Sequence, residues 1–437
     1  MKQSFFLRFV AMHALVLLHA QSQPKDSLTL EQAIQQVIDH HPIVQQASEA
    51  FQASLARVEQ SRSGYYPVSD VELGYARLAP IAELAFPGLG DFKLFPENNY
   101  DEHIVLRQTV YDFGKISSGV ALNQSNVDIA TDNIELVKSN LAYQTVQTFY
   151  SILFLRQGIH VQNRQIDVLN QHLIITQKKT QAGTATDFDI LTTQVRIAAA
   201  RNKEFDLQND LKKQEASMRR LLNLPVNTEV RLRGEFVSPP VGLDIDSLIT
   251  LAKKQRVELR LSRNAERTAE LQEHAVSLRD MPALKVNLAY GLKNGYIPNL
   301  DALRGNWVAA VQATIPVFNG YRTRNEEQEA EANFKSAEAR TCDTEGLIFT
   351  EVQQAVSDVQ TNVEKIQTSE LQVAQAIQAV EIATSRYASG AVTNLDLIDS
   401  ETALAQAELL HLEALYHFVL SRYTLEKAVG ELPWSQK

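Results

Sequence analysis

Two halves of this 437-residue sequence repeat one another. Gly183, Thr186 and Asp189 in `QAGTATDFDIL` match Gly390, Thr393 and Asp396 in `SGAVTNLDLI`, each at an offset of 207 residues. At that same offset `TVYDFGK` (Thr109 to Lys115) falls on `PVFNGYR` (Pro316 to Arg322). Further upstream `PVSDVELGY` (Pro67 to Tyr75) lies on `PALKVNLAY` (Pro282 to Tyr290) at an offset of 215, so the first copy carries a longer insert, `AFPGLGDFKLFPENN`, before Thr109. Landmarks in constant order and near-constant spacing mean that the fold consists of two like units. The first copy is expected over 23–232 and the second over 245–437, joined by the Pro/Gly-containing linker 233–244.

Within each copy the hydrophobic period switches from helix to strand and back. Residues 28–63 are rich in Ala, Gln and Glu, with Ala33, Val37, His41 and Val44 at helical spacing and Pro42 as a break. Then Val71, Leu73 and Tyr75 alternate with Asp70, Glu72 and Gly74. In the second copy Leu284, Val286, Leu288, Tyr290 and Leu292 alternate with Lys285, Asn287, Ala289, Gly291 and Lys293. A returning strand places Trp307, Ala309, Val311, Ala313, Ile315 and Val317 on one face; its first-copy partner is expected near Glu102 to Tyr111. Hairpins are thus expected at about 67–113 and 282–318. Runs of eight to eleven alternating residues with aromatics at their ends suit a transmembrane β-strand. An amphipathic hairpin packed on a soluble core has the same pattern.

Four such strands cannot close a barrel, and an open sheet in lipid leaves unpaired backbone groups that each cost several kcal/mol. A membrane sheet of this kind therefore needs more than one chain. Three would give twelve strands around an open lumen, although periodicity alone does not choose three over two or four.

Very long helices follow the hairpins. Neither Ser117 to Thr180 nor Thr323 to Ala388 contains proline; some 65 residues at ~1.5 Å each span about 100 Å. In the second copy Val352, Val356, Val359, Val363, Ile366, Val373, Ile377, Val380 and Tyr387 follow a 4-3 heptad, with Glu370 and Thr384 in the remaining slots, which predicts a coiled-coil seam. Tight turns at about 181–189 and 388–396 then reverse the chain into further helices.

Composition closes off several classes. The 52 acidic residues outnumber the 42 Lys plus Arg, giving a net charge of −10 and no basic footprint for nucleic acid. A single Cys342 excludes an internal disulfide and a cysteine-built metal site. Residues 1–22 read as an export signal: Lys2 and Arg8 are basic, Phe9 to Leu18 is mostly apolar and uncharged, and Ala20-Gln21-Ser22 offers a cleavage site. No later segment is apolar over ~18 residues, so any crossing of a membrane must use strands.

Three motifs now carry a resemblance: `YDFGK` and `PVFNG` where strand returns to helix, and the duplicated Gly-x₅-Asp turn continued by `DLIDSETALAQAE`. From Leu28 to Leu432 the chain resembles the outer-membrane efflux protein family, the TolC-like outer-membrane factors. The resemblance implies a mainly α fold with a β-barrel segment: a homotrimer whose twelve-stranded outer-membrane barrel stands on a long periplasmic α-helical barrel. It also implies an equatorial region formed by about Pro225 to Leu248 and the C-terminal end. Thr109 in place of Pro316, and Phe113 aligned with Gly320, depart from the duplicated pattern at the strand ends.

No catalytic constellation is present. The ten histidines form no HExxH motif, glycine is not clustered as a phosphate cradle, and no nucleophile has a base at motif spacing. The expectation is a non-enzyme without cofactor or metal. Asp396 and Asp399 stand three apart at a helix start, where acids offset the helix dipole; Asp189 repeats only the first. The family resemblance instead places them at a periplasmic tip, where a symmetric trimer gathers six carboxylates around a cation-attracting pore and mutual repulsion raises the apparent pKa of some. Gly183, Thr184, Gly390 and Ala391 are small residues at the turns and are expected to dock a periplasmic adaptor. The functional expectation is a passive outer-membrane exit duct, gated at its periplasmic tip, serving a tripartite efflux or type I secretion system with an adaptor and an inner-membrane pump. The alternative is an exported coiled-coil scaffold or adaptor that never enters a membrane.

Overall fold

The computed structural model describes residues 27–86, 88, 90–237 and 244–431. The segment expected to be an export signal, residues 238–243 of the linker and Leu432-Pro433 lie outside the described residues. The elements, in order, are α1 (Leu30–His40), α2 (Pro42–Arg62), β1 (Val68–Arg77), β2 (Glu83–Phe86), β3 (Gly90–Lys93), β4 (Asn98–Tyr111), α3 (Lys115–Gln181) and α4 (Asp187–Leu221). There follow α5 (Ile245–Gln255), α6 (Val257–Ser277), β5 (Ala283–Lys293), β6 (Arg304–Thr314), α7 (Arg322–Ala388) and α8 (Asn394–Val429). Helices, hairpin, long helix, turn and helix thus occur twice. The insert of the first copy forms the short β2–β3 hairpin. β4 starts at Asn98, four residues before the sequence-based expectation, and β6 ends at Thr314, leaving Ile315 and Val317 beyond the strand.

The chain forms two compact units. One contains residues 43–137 and 253–350. Its four-stranded antiparallel sheet has the order β1-β4-β5-β6, so β1 and β6 are open edges. Register settles the two faces. Val71↔Ile104, Tyr75↔Tyr100, Ile104↔Tyr290, Leu106↔Leu288, Tyr290↔Trp307 and Val286↔Val311 are directly opposed, so they share one face that is predominantly apolar. Asp70, Glu72, Arg107, Asp101, His103, Lys293 and Asn306 share the other. There Arg107 donates to Asp70 at 2.5 Å and also bonds Glu72, while Lys293 donates to Asp101 at 2.8 Å. Beneath the sheet, Arg260 of α6 donates to the buried Asp132 of α3 at 2.6 Å and also reaches Glu135.

Strand returns to helix through the two sequence motifs. Phe113 and Gly114 both have positive φ (56° and 92°), and so do Gly320 and Tyr321 (69° and 62°). The copies thus make one two-residue left-handed turn with the glycine in alternate places, and Phe113 and Tyr321 carry the strain of order 1–2 kcal/mol that glycine escapes. Asp112 accepts from the Gly114 and Ile116 amides at 3.0 and 2.7 Å; Asn319 accepts from the Arg322 amide at 3.1 Å. The departure noted at Phe113 therefore preserves the geometry.

The other unit contains residues 1–42, 138–252 and 351–437 as a division of the chain. Its buried side chains include Val146, Phe149 and Ile152 of α3, Met218 and Leu221 of α4, Phe418 and Leu425 of α8, and Ala33, Ile34 and Val37 of α1. Leu28 exchanges backbone hydrogen bonds with Arg231 and Arg233, both 2.9 Å. In α7 the predicted heptad keeps Val352, Val356, Val359 and Tyr387 buried and Ile366, Val373 and Val380 half-buried; beside them Ala355, Asn362 and Ser369 are buried, and Ala376 and Ala383 half-buried. Val363 and Ile377, predicted inside it, are 37% and 42% exposed. The polar pair of this stripe reaches α8: Asn362 donates to the His417 carbonyl and Ser369 bonds His411 at 3.0 Å.

Candidate functional site

Both helix reversals end in the same local chemistry. At the first, the Gly183 amide donates to the Thr180 carbonyl at 3.0 Å and Thr184 to Lys179 at 2.9 Å; at the second, Gly390 donates to Tyr387 at 3.2 Å and Ala391 to Arg386 at 2.8 Å. These are Schellman closures, and they require the left-handed φ of 73° and 76° that Gly183 and Gly390 supply. Each next helix opens with a capping box. The Asp189 amide donates to the Thr186 hydroxyl, whose own amide donates back to the Asp189 carboxylate at 2.8 Å; Thr393 and Asp396 repeat this with the same 2.8 Å return bond.

Those bonds give Asp189 and Asp396 a structural task within their own turns. Hydrogen bonds from Thr393 hold the Asp396 carboxyl below the usual carboxylate range, so any upward push at a shared pore mouth has to come from other copies. Asp399 does something different. Its carboxylate accepts from Arg196 of α4 at 2.8 Å, an exposed ion pair between the two copies' helices. Asp396 and Asp399 thus leave the same helix start with separate partners.

Sequence reasoning missed a buried polar node just behind these acids. Asn394, the first residue of α8, is 5% exposed. Its side-chain oxygen lies 2.5 Å from His172 Nε2 and accepts from Thr176 at 3.3 Å, while its amide nitrogen donates to the Asp189 carbonyl at 3.3 Å. Burial pushes the His172 pKa down. Lys179 donates to the Tyr387 carbonyl at 3.1 Å and sits over the Tyr387 ring, 3.6 Å from its centroid. Beneath the node Ile166, Leu169, Ile197, Ala200 and Ile398 form an apolar cluster. The available signal was an Asn at the first helical position where the other copy has Asp187, but its histidine partner lies 222 residues away. Thr184 and Ala391 are exposed at the turns, and a Cβ at Gly183 or Gly390 would meet nothing within 4 Å.

No described helix is long and apolar enough to cross a membrane. The four-stranded sheet is the candidate instead, with one apolar face ending in Tyr75, Tyr100, Tyr290 and Trp307 and one face of charges and amides. Among the described residues no group of three or more His, Cys, Asp or Glu side chains could hold a metal ion.

Comparisons with known proteins bear on this arrangement. The profile of the outer membrane efflux protein family matches residues 33–224 and 248–431, one stretch in each copy. Protein CyaE of Bordetella pertussis is 22% identical over 319 residues, 72% of this chain and 65% of that protein. Outer membrane protein TolC of Escherichia coli is 17% identical over 415 residues, 92% of this chain and 82% of that protein. The crystal structure of the Campylobacter jejuni CmeC outer membrane channel superposes with a TM-score of 0.81 at 15% identity, covering 93% of this chain and 87% of that one.

Proposed function

The chain belongs to the outer membrane efflux protein family, and from that premise we propose that it is a passive outer-membrane exit duct, an efflux or secretion channel that works with an inner-membrane pump through a periplasmic adaptor. The observation that carries this reading is the two-faced sheet with open edges. In lipid, unpaired β1 and β6 are untenable, and joining the β6 edge of one copy to the β1 edge of the next removes both. Three copies close twelve strands with the apolar face outward and the Asp70–Glu72–Arg107 and Asp101–Lys293 groups toward the lumen. Val363 and Ile377 of α7, and Phe188, Leu191 and Val195 of α4, are exposed apolar side chains in the single chain and support burial against other copies. A scaffold that stays out of the membrane gives no account of the sheet's apolar face. Crosslinking in detergent, followed by electrophoresis with and without heating, is expected to give a heat-modifiable trimer. Monomers alone would remove the proposal.

The tip is proposed as the gate. Threefold symmetry would gather Asp396 and Asp399 from each copy at the mouth, with Asp189 nearby in the first-copy cap. The Arg196–Asp399 pair supports a closed state held by a cross-helix ion pair. Gly183, Thr184, Gly390 and Ala391 are the proposed adaptor contact, favoured by their small size and the open space around them. Substituting Gly390 would also strain a left-handed residue, so Ala391→Glu is the cleaner probe. It should abolish export while the trimer assembles; normal export would move docking elsewhere.

A further inference from the structure

A second feature lies two turns behind the tip and plays no part in the channel reading. Between α3, α7 and α8 there is a cavity of about 160 Å³ walled by Val161, Val380 and Leu404, with Val168 at its edge. One oxygen of the Glu401 carboxyl, Oε2, is buried there without a hydrogen-bond partner. The other charged groups of the lining are committed, since Arg164 donates to Glu408 at 2.8 Å. Gln165, also in the lining, accepts from Gln162. A buried acceptor left unmade costs about 1–3 kcal/mol, and more when charged. Burial accordingly pushes the Glu401 carboxyl up to about 7. What the cavity lacks is a donor, ideally cationic, attached to a compact apolar body. Its size suits such a body: an apolar cavity of about 150 Å³ holds benzene.

We propose that this cavity is a binding site for a small primary amine, its ammonium donating to Glu401 Oε2 and its apolar body lying against Val161, Val380 and Leu404. Arg164 does not oppose the cation, because Glu408 neutralises it. The amine would complete a polar contact that the protein leaves open and fill a space bounded by three helices of one chain. The site lies within a single chain, so its test is independent of oligomeric state and of conduction.

The probe is benzylamine, titrated calorimetrically into the full-length protein in detergent at a pH above 7, where both groups are charged. The parent protein should bind one benzylamine per chain, and benzyl alcohol about tenfold more weakly, the loss of one charge-assisted bond. Glu401→Gln should weaken benzylamine by about tenfold or more, and Val168→Trp, which plugs the edge, should abolish binding. Glu401→Gln binding within about twofold of the parent overturns the proposal, as does equal binding of amine and alcohol. Absence of saturable binding in the parent overturns it too, since water then serves the carboxyl. If Glu401→Gln does not fold, the amine-against-alcohol comparison on the parent and the Val168→Trp variant decide the matter.

Discussion

The two helix reversals share a backbone and differ in what they bury. Both end in a Schellman closure and reopen with a Thr–Asp capping box. Yet Asn394 is buried where its counterpart Asp187 is exposed, and Ile398 is fully buried where Leu191 is 59% exposed. Asp399 has an ion pair where Thr192 only bonds back to the Phe188 carbonyl at 2.8 Å. Glu401 sits in a cavity where the first copy has Gln194. Duplication thus fixes the turn, while divergence of three or four side chains decides which turn is locked into the interior and which presents an apolar stripe outward.

That contrast can be broken in a definite order. The largest effect is expected from Asn394→Leu, which removes the 2.5 Å partner of His172 Nε2 inside the tip, while Thr176 and Thr193 keep their bonds to the His172 and Asp189 carbonyls. It should cost about 2–3 kcal/mol, seen as a lower helix melting temperature by circular dichroism, while Asp187→Leu stays within about 0.5 kcal/mol. The same node makes the second tip sensitive to acid. The unfolded chain binds a proton at His172 more readily than the folded one, so this contribution is fully present above the ordinary histidine value of 6.5 and is lost as pH falls below it. A melting temperature that stays unchanged between neutral pH and pH 5 in the parent, or falls equally in His172→Gln, would contradict this assignment.

The next effect sharpens what the copies share. Thr186→Ala and Thr393→Ala should each cost about 1 kcal/mol, matched within a few tenths, because the two caps have the same bonds. Unequal losses would mean that tertiary packing governs the caps. Glu401→Gln gives the second copy the first copy's amide. The folded protein holds the Glu401 proton up to about pH 7 whereas the unfolded chain releases it near 4.5, so the wild-type group lowers stability as pH rises through that window. The variant should therefore gain of order 1 kcal/mol above pH 7, after allowance for the solvated part of the side chain, and nothing below pH 4. Thermal melts at the two pH values separate these outcomes. The smallest effect on stability belongs to Asp399→Ala, about 0.5 kcal/mol or less for an exposed pair.

Much of the architecture was legible because it rests on local chemistry repeated in two places. Alternation fixed which side of β1, β5 and β6 is apolar; the Gly and Thr-x-x-Asp spacing fixed the turns and caps. Inside α7 the period was legible but its second stripe was not. Branched Val363 and Ile377 score as seam residues, whereas the structure leaves them exposed and buries Ala355, Asn362 and Ser369, the last two through polar contacts to α8 that hydrophobic periodicity does not register. The tip node was illegible for another reason. His172, Asn394 and Thr193 sit on three different helices, and each alone resembles a solvated polar residue. Likewise Asp396 and Asp399 read as a matched pair by spacing, yet one folds back into its cap and the other crosses to Arg196.

The central claim is that several copies close the two-faced sheet around a lumen whose tip the second-copy acids control. Single-channel recording of the purified protein in planar bilayers tests it most directly. The account predicts discrete, cation-selective openings, and an Asp396→Ala/Asp399→Ala variant that opens more often, loses cation preference and is no longer blocked by multivalent cations. A parent protein that inserts no conductance would contradict the claim, and a variant indistinguishable from the parent would return both acids to their cap and ion-pair roles alone.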